Sequence, residues 1–109
     1  MEWVQVNWTA GSLQDARIVS RFLVQEHIVS QAKIIPWVES IALLNNQLET
    51  TQETLVQFIT VKAHFDAVKE AIEKQGKFAI AELIVYPITE INPAYFQWLQ
   101  ENLKISVGN

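Results

Sequence analysis

Two hydrophobic periodicities alternate along the chain. Residues 3–10 carry apolar side chains at every second position, which predicts a β-strand. From residue 13 to 26 the apolar spacing changes to three and four, which predicts a helix with one buried stripe. Gly11 and Ser12 separate the two segments, and Ser12 with Asp15 resembles a capping box at the start of the helix.

The next segment predicts a long hairpin. Residues 32–44 are extended in character, and Pro36 favours an edge or a bulge because proline cannot donate to a strand ladder. Asn45 and Asn46 suit the turn, since asparagine tolerates positive φ. The return strand is predicted from residue 48 to 62.

The second half of the chain repeats the order of helix and strand. Helical spacing from residue 63 to 75 ends at Gly76, which suits the left-handed stop of a helix. Residues 79–87 predict a fourth strand, and Asn92 followed by proline predicts the start of a short final helix. This order predicts an α+β fold, a ferredoxin-like βαββαβ sandwich with an extra C-terminal helix, in a single domain of residues 1–109.

The third and fourth strands are apolar at both alternating positions. Residues 55–61 and 79–87 therefore predict strands that are covered on both faces. Both helices of the predicted plan lie on one face, which leaves only the short final helix for the other. A well-packed monomer is one interpretation, and an obligate oligomer that hides this face between copies is the one we favour. The composition agrees, because 18% of the residues are charged, whereas soluble domains average about 25%.

Charge and composition argue against several classes of function. The net charge is −4 and there is no run of Lys or Arg, which disfavours nucleic acid and anionic membranes as partners. The absence of cysteine excludes disulfides and thiolate metal ligands, and it favours a reducing, cytoplasmic compartment. The sequence also predicts no signal peptide and no membrane span.

Residues that could carry catalysis or bind a metal are few. His27, predicted to interact with the dipole at the end of the first helix, and His64, predicted on the surface, are the only imidazoles. Neither has other metal-ligating side chains at a suitable spacing. The serines lack the context of a nucleophile elbow, and three glycines are too few for a phosphate-binding loop. The sequence therefore predicts no catalytic residue, no local metal site and no enzyme.

Glu82 is the only acidic residue in the apolar fourth strand. An ionised carboxylate is costly to bury there unless it is paired. Two interpretations stay open: the side chain faces outward at a strand end, or it lines a cleft between subunits. Lys62 and Lys77 are the candidate partners for its charge.

Aromatic residues provide further candidates. Phe78, Tyr95 and Trp98 could line a pocket beside Glu82, although the spacing favours core positions for Tyr95 and Trp98. Tryptophan is enriched at protein interfaces, so three other tryptophans are candidates for subunit contacts. They are Trp3, Trp8 and Trp37.

Three segments resemble the CutA divalent-cation tolerance family. Residues 34–36 (Ile-Ile-Pro) before a hairpin resemble its second strand, and residues 78–88 resemble its strand with a glutamate before Ile or Leu and a trailing proline. Residues 95–99 (Tyr-Phe-Gln-Trp-Leu) resemble its closing helix. The correspondence runs in order from residue 3 to 103, but Gln-Ala-Lys at residues 31–33 stands where the family usually has a Cys-Asn pair.

The resemblance implies a tight homotrimer whose sheets meet around a three-fold axis. It implies a binding or signalling module linked to tolerance of divalent metal ions, with copper as the possible metal and no certain cofactor. Glu82 falls on the glutamate of the family motif, which favours its position in a cleft between subunits. Two alternatives remain open: a PII-like trimeric sensor that binds small molecules in such clefts, and a purely structural interaction protein.

Overall fold

Strand pairing arranges the chain around one antiparallel sheet. A computed structural model describes residues 1–75 and 82–104. The strands are β1 (Trp3–Ala10), β2 (Gln31–Leu44), β3 (Gln47–Val61) and β4 (Glu82–Pro87). Their order across the sheet is β2-β3-β1-β4, so β1 and β3 are central and β2 and β4 form the edges.

Helices follow the first and third strands, and another closes the fold. They are α1 (Leu13–Gln25), α2 (Phe65–Gln75), which a 3-10 turn precedes, and α3 (Pro93–Glu101). None of the helices within the described ranges has the length and apolar character to cross a membrane. The arrangement confirms the predicted α+β, ferredoxin-like plan with its extra C-terminal helix. Gly76 and residues 79–81, predicted as a helix stop and the start of β4, lie outside the described residues.

Short polar side chains set the element boundaries as predicted. The Asp15 N–H donates to Ser12 Oγ at 3.0 Å, so Ser12 caps the first turn of α1. Asn45 and Asn46 have φ angles of 52° and 64°. Two successive positive φ angles are those of a type I′ turn, whose twist matches that of the paired strands β2 and β3.

Pro36 interrupts the pairing of β2 with β3. The register is regular up to Ile35 and resumes at Val38, so Pro36 and Trp37 together oppose Thr54. Two residues against one define a β-bulge, which suits proline because the unpaired position needs no N–H donor. The bulge confirms the prediction made from Pro36.

The main core lies between the sheet and the helices α1 and α2. Trp8 is 3% exposed and stacks on Phe58 with ring centroids 6.2 Å apart. The prediction that Trp8 lies at a subunit contact is therefore wrong, because its strand position points it under the helices. The other large side chains of this core are Val4 and Val6 of β1, Val56 of β3, Val19 and Leu23 of α1, and Val68 and Ile72 of α2.

A second, smaller core lies under α3 on the opposite face of the sheet. Trp3 packs there against Phe96 in an edge-to-face arrangement at 5.5 Å, together with Val61, Leu99 and Leu103. Because α3 shields the Trp3 ring, the residue is 7% exposed and its prediction as a subunit contact is also wrong. The helix covers only the end of this face where β1 begins and β3 ends.

The β2-β3 hairpin extends beyond the two cores as an arm, which we define as residues 38–53. The dimensions of the chain are 50 × 29 × 21 Å and its Cα radius of gyration is 15.0 Å. A compact chain of this length has a radius of about 13 Å, so the arm makes the molecule elongated. Leu43 and Leu48 oppose each other near its tip and are 69% and 71% exposed.

Candidate functional site

The sheet face opposite α1 and α2 is partly or fully exposed where α3 does not cover it, and we call this part the open face. Its central strand β1 presents polar side chains, among them Gln5 and Asn7, which share a 2.9 Å hydrogen bond. The edge strand β4 presents Ile84 and Tyr86, which are 52% and 46% exposed. The prediction of apolar side chains on the second face of β4 is thus confirmed, whereas the middle of the face is polar.

Glu82 begins β4 on the open face. Alternation along the strand directs Leu83 and Val85 toward the main core and leaves Glu82 exposed on the other side. Its Oε1 accepts a hydrogen bond from Thr9 Oγ1 at 3.4 Å, a long and therefore weak contact. In the isolated chain, the outward position at a strand end describes Glu82 correctly.

Neither lysine predicted as a partner of Glu82 is seen to fill that role. Lys62 directly follows β3, whose last residue Val61 pairs with Trp3. Its backbone N–H donates to the Glu2 carbonyl at this end of the sheet. Glu82 lies at the other end of the sheet, so Lys62 is not its partner within one chain. Lys77 lies outside the described residues.

Tyr95 and Trp98 form an aromatic pair on α3. Their rings are stacked with centroids 6.0 Å apart, and Trp98 is 43% exposed. The Tyr95 hydroxyl donates to Gln31 Oε1 at the start of β2. Burial raises the pKa of the Tyr95 phenol, because the low-dielectric surroundings disfavour the phenolate. The predicted core position is thus wrong for Trp98, and Tyr95 is half-buried.

The structure does not bring Glu82 and the aromatic pair together within one chain. Strand pairing aligns Glu82 with Thr9, and it aligns Gln31, the partner of Tyr95, with Ile59. Thr9 and the residue opposite Ile59 are four positions apart on β1, which corresponds to about 14 Å. Phe78, the fourth predicted residue of this site, lies outside the described residues.

A hydrogen-bond network that the sequence did not reveal fixes the aromatic pair. Ser30 Oγ donates to the Leu99 carbonyl at 2.6 Å, and the Lys104 N–H donates to the His27 carbonyl at 2.9 Å. His27 Nδ1 lies 3.3 Å from the Asn102 carbonyl, so the imidazole contacts α3 just beyond the end of α1. These bonds join segments about 70 residues apart, which local sequence patterns do not detect.

His64 is not the surface residue predicted from its neighbours. Its ring is half-buried, and Nδ1 lies 2.8 Å from the Ile28 carbonyl, which accepts the hydrogen bond. Thr60 Oγ1 donates to the same carbonyl at 2.7 Å. His64 therefore ties the turn before α2 to the segment after α1.

Metal-ligating side chains do not converge within residues 1–75 and 82–104 of one chain. No group of three or more His, Asp or Glu side chains in these ranges is placed to hold a metal ion. The described residues of a single copy thus provide individual carboxylates, such as Glu82, rather than a complete ligand set.

Comparison with known proteins gives a consistent result. The sequence profile of the family described as CutA1 divalent ion tolerance protein matches residues 4–102. The divalent-cation tolerance protein CutA of Thermus thermophilus is 30% identical over 94 residues, covering 86% of this chain and 91% of that protein. Protein CutA of Mus musculus is 24% identical over 86 residues, and the match spans 49% of its length.

Solved structures show the same fold. The divalent cation tolerance protein of Thermus thermophilus superposes with a TM-score of 0.82 at 31% identity, over 95% of this chain and all of that chain (100%). CutA1 from Oryza sativa superposes with a TM-score of 0.86 over 97% of both chains, at 22% identity. The profile match and the Thermus relative confirm the resemblance seen in residues 34–36, 78–88 and 95–99, and the chain belongs to the CutA1 divalent ion tolerance protein family.

Proposed function

We propose that this protein acts in divalent-cation tolerance as a homotrimeric binding or signalling module rather than as a catalyst. The observation that carries the proposal is the family match over residues 4–102, together with a Thermus relative named for divalent-cation tolerance. Copper is the metal that we propose to test first.

Exposed apolar surface supports the proposed assembly. Large exposed apolar patches on a single chain usually mark interaction sites. On the arm, Ile41, Leu43 and Leu48 are each more than 60% exposed, and on the open face Ile84 is 52% exposed. Because β2 and β4 are the edge strands of the described sheet, each also presents backbone groups that no described strand pairs, at opposite sides of the sheet. Different surfaces at the two edges suit a head-to-tail ring of copies.

The same assembly would create the predicted clefts. One chain keeps Glu82 at one end of the open face and Trp98 at the other, so a cleft that contains both must draw them from different copies. Glu82 lies on the edge strand β4, and Trp98 is 43% exposed on α3, so both can meet a neighbouring copy. A divalent cation held there would need oxygen ligands from more than one copy, because no three metal-ligating side chains converge among the described residues of one chain.

Sedimentation equilibrium at micromolar concentration tests the assembly directly. We expect a single species with three times the mass of the chain across the concentration range. A stable monomer at these concentrations would remove the proposal, because the apolar surfaces would then remain open in solution. A stable dimer would contradict the three-fold arrangement while retaining an interface.

A thermal-shift screen tests the ligand. Any ligand that binds the folded state raises the melting temperature by mass action. We expect protein freed of metal with a chelator to be stabilised by Cu²⁺ or another divalent cation. If a metabolite raises the melting temperature and the metals do not, the result would favour the PII-like sensor. If no compound changes the melting temperature, it would favour the purely structural interaction protein.

We further propose a cytoplasmic location, supported by a sequence without cysteines that suits a reducing compartment. Fractionation of the source cells, with marker proteins for each compartment, tests this. Recovery mainly outside the cytoplasm would contradict it.

A further inference from the structure

A groove lies between helix α1 and the edge strand β2, on the side of the sheet away from the open face. Its volume is about 510 Å³, within the range typical of small-molecule sites. Arg17, Ser20, Arg21 and Gln25 line it from α1. Val24 and Ile34 are among the residues that give it an apolar side.

The groove concentrates positive charge in an acidic protein. Arg17 and Arg21 are the only arginines of a chain whose net charge is −4, and they lie one helical turn apart. The one ion pair among residues 1–75 and 82–104 joins Lys74 to Glu70, so no described carboxylate lies within ion-pair distance of either arginine. Like charges at this spacing repel each other, and a bound anion would relieve the repulsion.

Ser20, which also lines the groove, has a buried hydroxyl. The residue is 5% exposed, and its Oγ makes no hydrogen bond with any described residue. Serine in a helix commonly donates to the carbonyl of the preceding turn, but this bond is not formed here. A buried hydroxyl without a hydrogen-bond partner is unfavourable. Within the described part of the chain, Ser20 Oγ is the only buried side-chain oxygen or nitrogen that lacks one.

We propose that this groove binds a small organic anion with an oxyanion head and a short apolar body. The guanidinium groups of Arg17 and Arg21 would hold the head by charge-assisted hydrogen bonds, which arginine forms with both carboxylate and phosphate. Val24 and Ile34 would contact the apolar body. All the residues that line the site belong to one chain, although the edge strand β2 that borders it is also proposed to meet a neighbouring copy.

NMR titration of the ¹⁵N-labelled full chain tests the location and the chemistry. The probes are hexanoate, inorganic phosphate and hexylamine, added at constant ionic strength. We expect hexanoate to cause saturable shifts at residues 17–25 and 32–34. Phosphate should shift the arginine-bearing turn more weakly, since it lacks the apolar body, and hexylamine should leave the groove unchanged.

Two double variants distinguish specific binding in the groove from a general attraction of the anion to positive charge on the protein. Arg17→Gln with Arg21→Gln should weaken hexanoate binding by about tenfold or more. The matched control, Lys69→Gln with Lys104→Gln, removes the same charge from exposed positions outside the groove and should leave the affinity within about twofold.

The proposal is overturned if the shifts do not saturate, if they map elsewhere, or if both double variants weaken binding equally. The shifts of the wild-type protein locate the site without the variants, and the ¹⁵N spectra of the variants show that they are folded before their affinities are compared. If metals fail to stabilise the protein in the thermal-shift screen, the NMR titration with hexanoate is unaffected. Failure of one proposal can therefore be told apart from failure of the other.

Discussion

Ser30 Oγ and the Leu99 carbonyl oxygen are 2.6 Å apart, in a site where Ser30 is 3% exposed and Leu99 is fully buried. The bond joins the segment before β2 to the last turn of α3. It holds the helix against the end of the sheet, and with it the exposed ring of Trp98. The position of the aromatic pair therefore depends on a serine that precedes it by about 70 residues.

Replacing this serine should loosen α3 by a modest amount. The Leu99 carbonyl also accepts the Asn102 N–H at 3.3 Å, so Ser30→Ala does not leave it without a partner. We therefore expect a loss of about 1 kcal/mol in the free energy of unfolding, close to the net value of one hydrogen bond. Urea denaturation at fixed protein concentration measures it, with Ser40→Ala in the arm as the control. A loss in the control as large as in Ser30→Ala would contradict the assignment.

Tyr95 should make the protein less stable at alkaline pH. Burial raises the pKa of its phenol in the folded state, whereas the unfolded chain ionises near pH 10. The unfolded state therefore releases its proton first, and stability is complete below about pH 10 and falls as the pH rises through the folded pKa. Tyr95→Phe should reduce this alkaline loss of stability.

The measurement is the melting temperature from about pH 8 to pH 11, a range that brackets the ordinary tyrosine pKa. Tyr86→Phe is a matched control, since it removes the only other tyrosine and leaves the bond between Tyr95 and Gln31 intact. We expect the control to retain the alkaline loss that Tyr95→Phe reduces. Equal curves for the two variants would show that Tyr95 does not cause the effect.

Local patterns in the sequence predicted the elements because each has a local cause. Ser12 caps α1 through a backbone N–H three residues away, and Asn45 with Asn46 forms a turn whose two residues adopt the required φ angles. Pro36 marked the bulge for the same reason, because its missing N–H acts at its own position. Such interactions lie within a few residues and are therefore visible in the sequence.

The candidate site was less predictable because its residues depend on distant segments. Trp3 and Trp37 look alike in sequence, yet α3 covers one ring while the other is 73% exposed on the β2 bulge. His64 lies two residues from Lys62 and from Asp66 in sequence, but its ring bonds a carbonyl 36 residues away. The apolar residues of the arm were visible as a pattern, but only the geometry shows that no core within the described residues reaches them.

The hairpin turn offers a test by stabilisation. Asn46 has a φ of 64°, a conformation that glycine adopts without the steric cost of a side chain. Asn46→Gly would give Asn-Gly, the preferred pair for this turn, and should raise the free energy of unfolding by up to about 1 kcal/mol. Asn46→Val should lower it, because a β-branched residue is unfavourable at positive φ. Thermal melts check both, and a more stable valine variant would contradict the turn geometry.

Glu82 should affect ligand response more than folding. Its side chain is exposed and its one hydrogen bond to a described residue is long, so Glu82→Gln should change the free energy of unfolding by less than about 0.5 kcal/mol. If it contributes to a cation site, the melting-temperature rise caused by a divalent cation should fall clearly in this variant. Glu73→Gln, on the exposed side of α2, is the control with the same loss of charge. An unchanged cation response in Glu82→Gln would exclude Glu82 from the site.

The arm provides the sharpest test of assembly. Leu43 and Leu48 face each other across the hairpin, and they are 69% and 71% exposed in the single chain. Substituting Leu43→Glu and Leu48→Glu should therefore leave the secondary structure of the chain intact. If neighbouring copies bury these leucines, two carboxylates would be desolvated there, and the trimer should dissociate at micromolar concentration.

The control adds charge to the other side of the same arm. Thr51 lies on the opposite face of the hairpin from Leu48 and is also exposed, so Thr51→Glu tests for a general effect of acidic residues on the arm. Sedimentation velocity with circular dichroism should show a folded monomer for the double leucine variant and a trimer for the control. A trimer that persists in the double variant would mean that the leucine face of the arm lies outside the interface, and the open face alone would then have to account for the assembly.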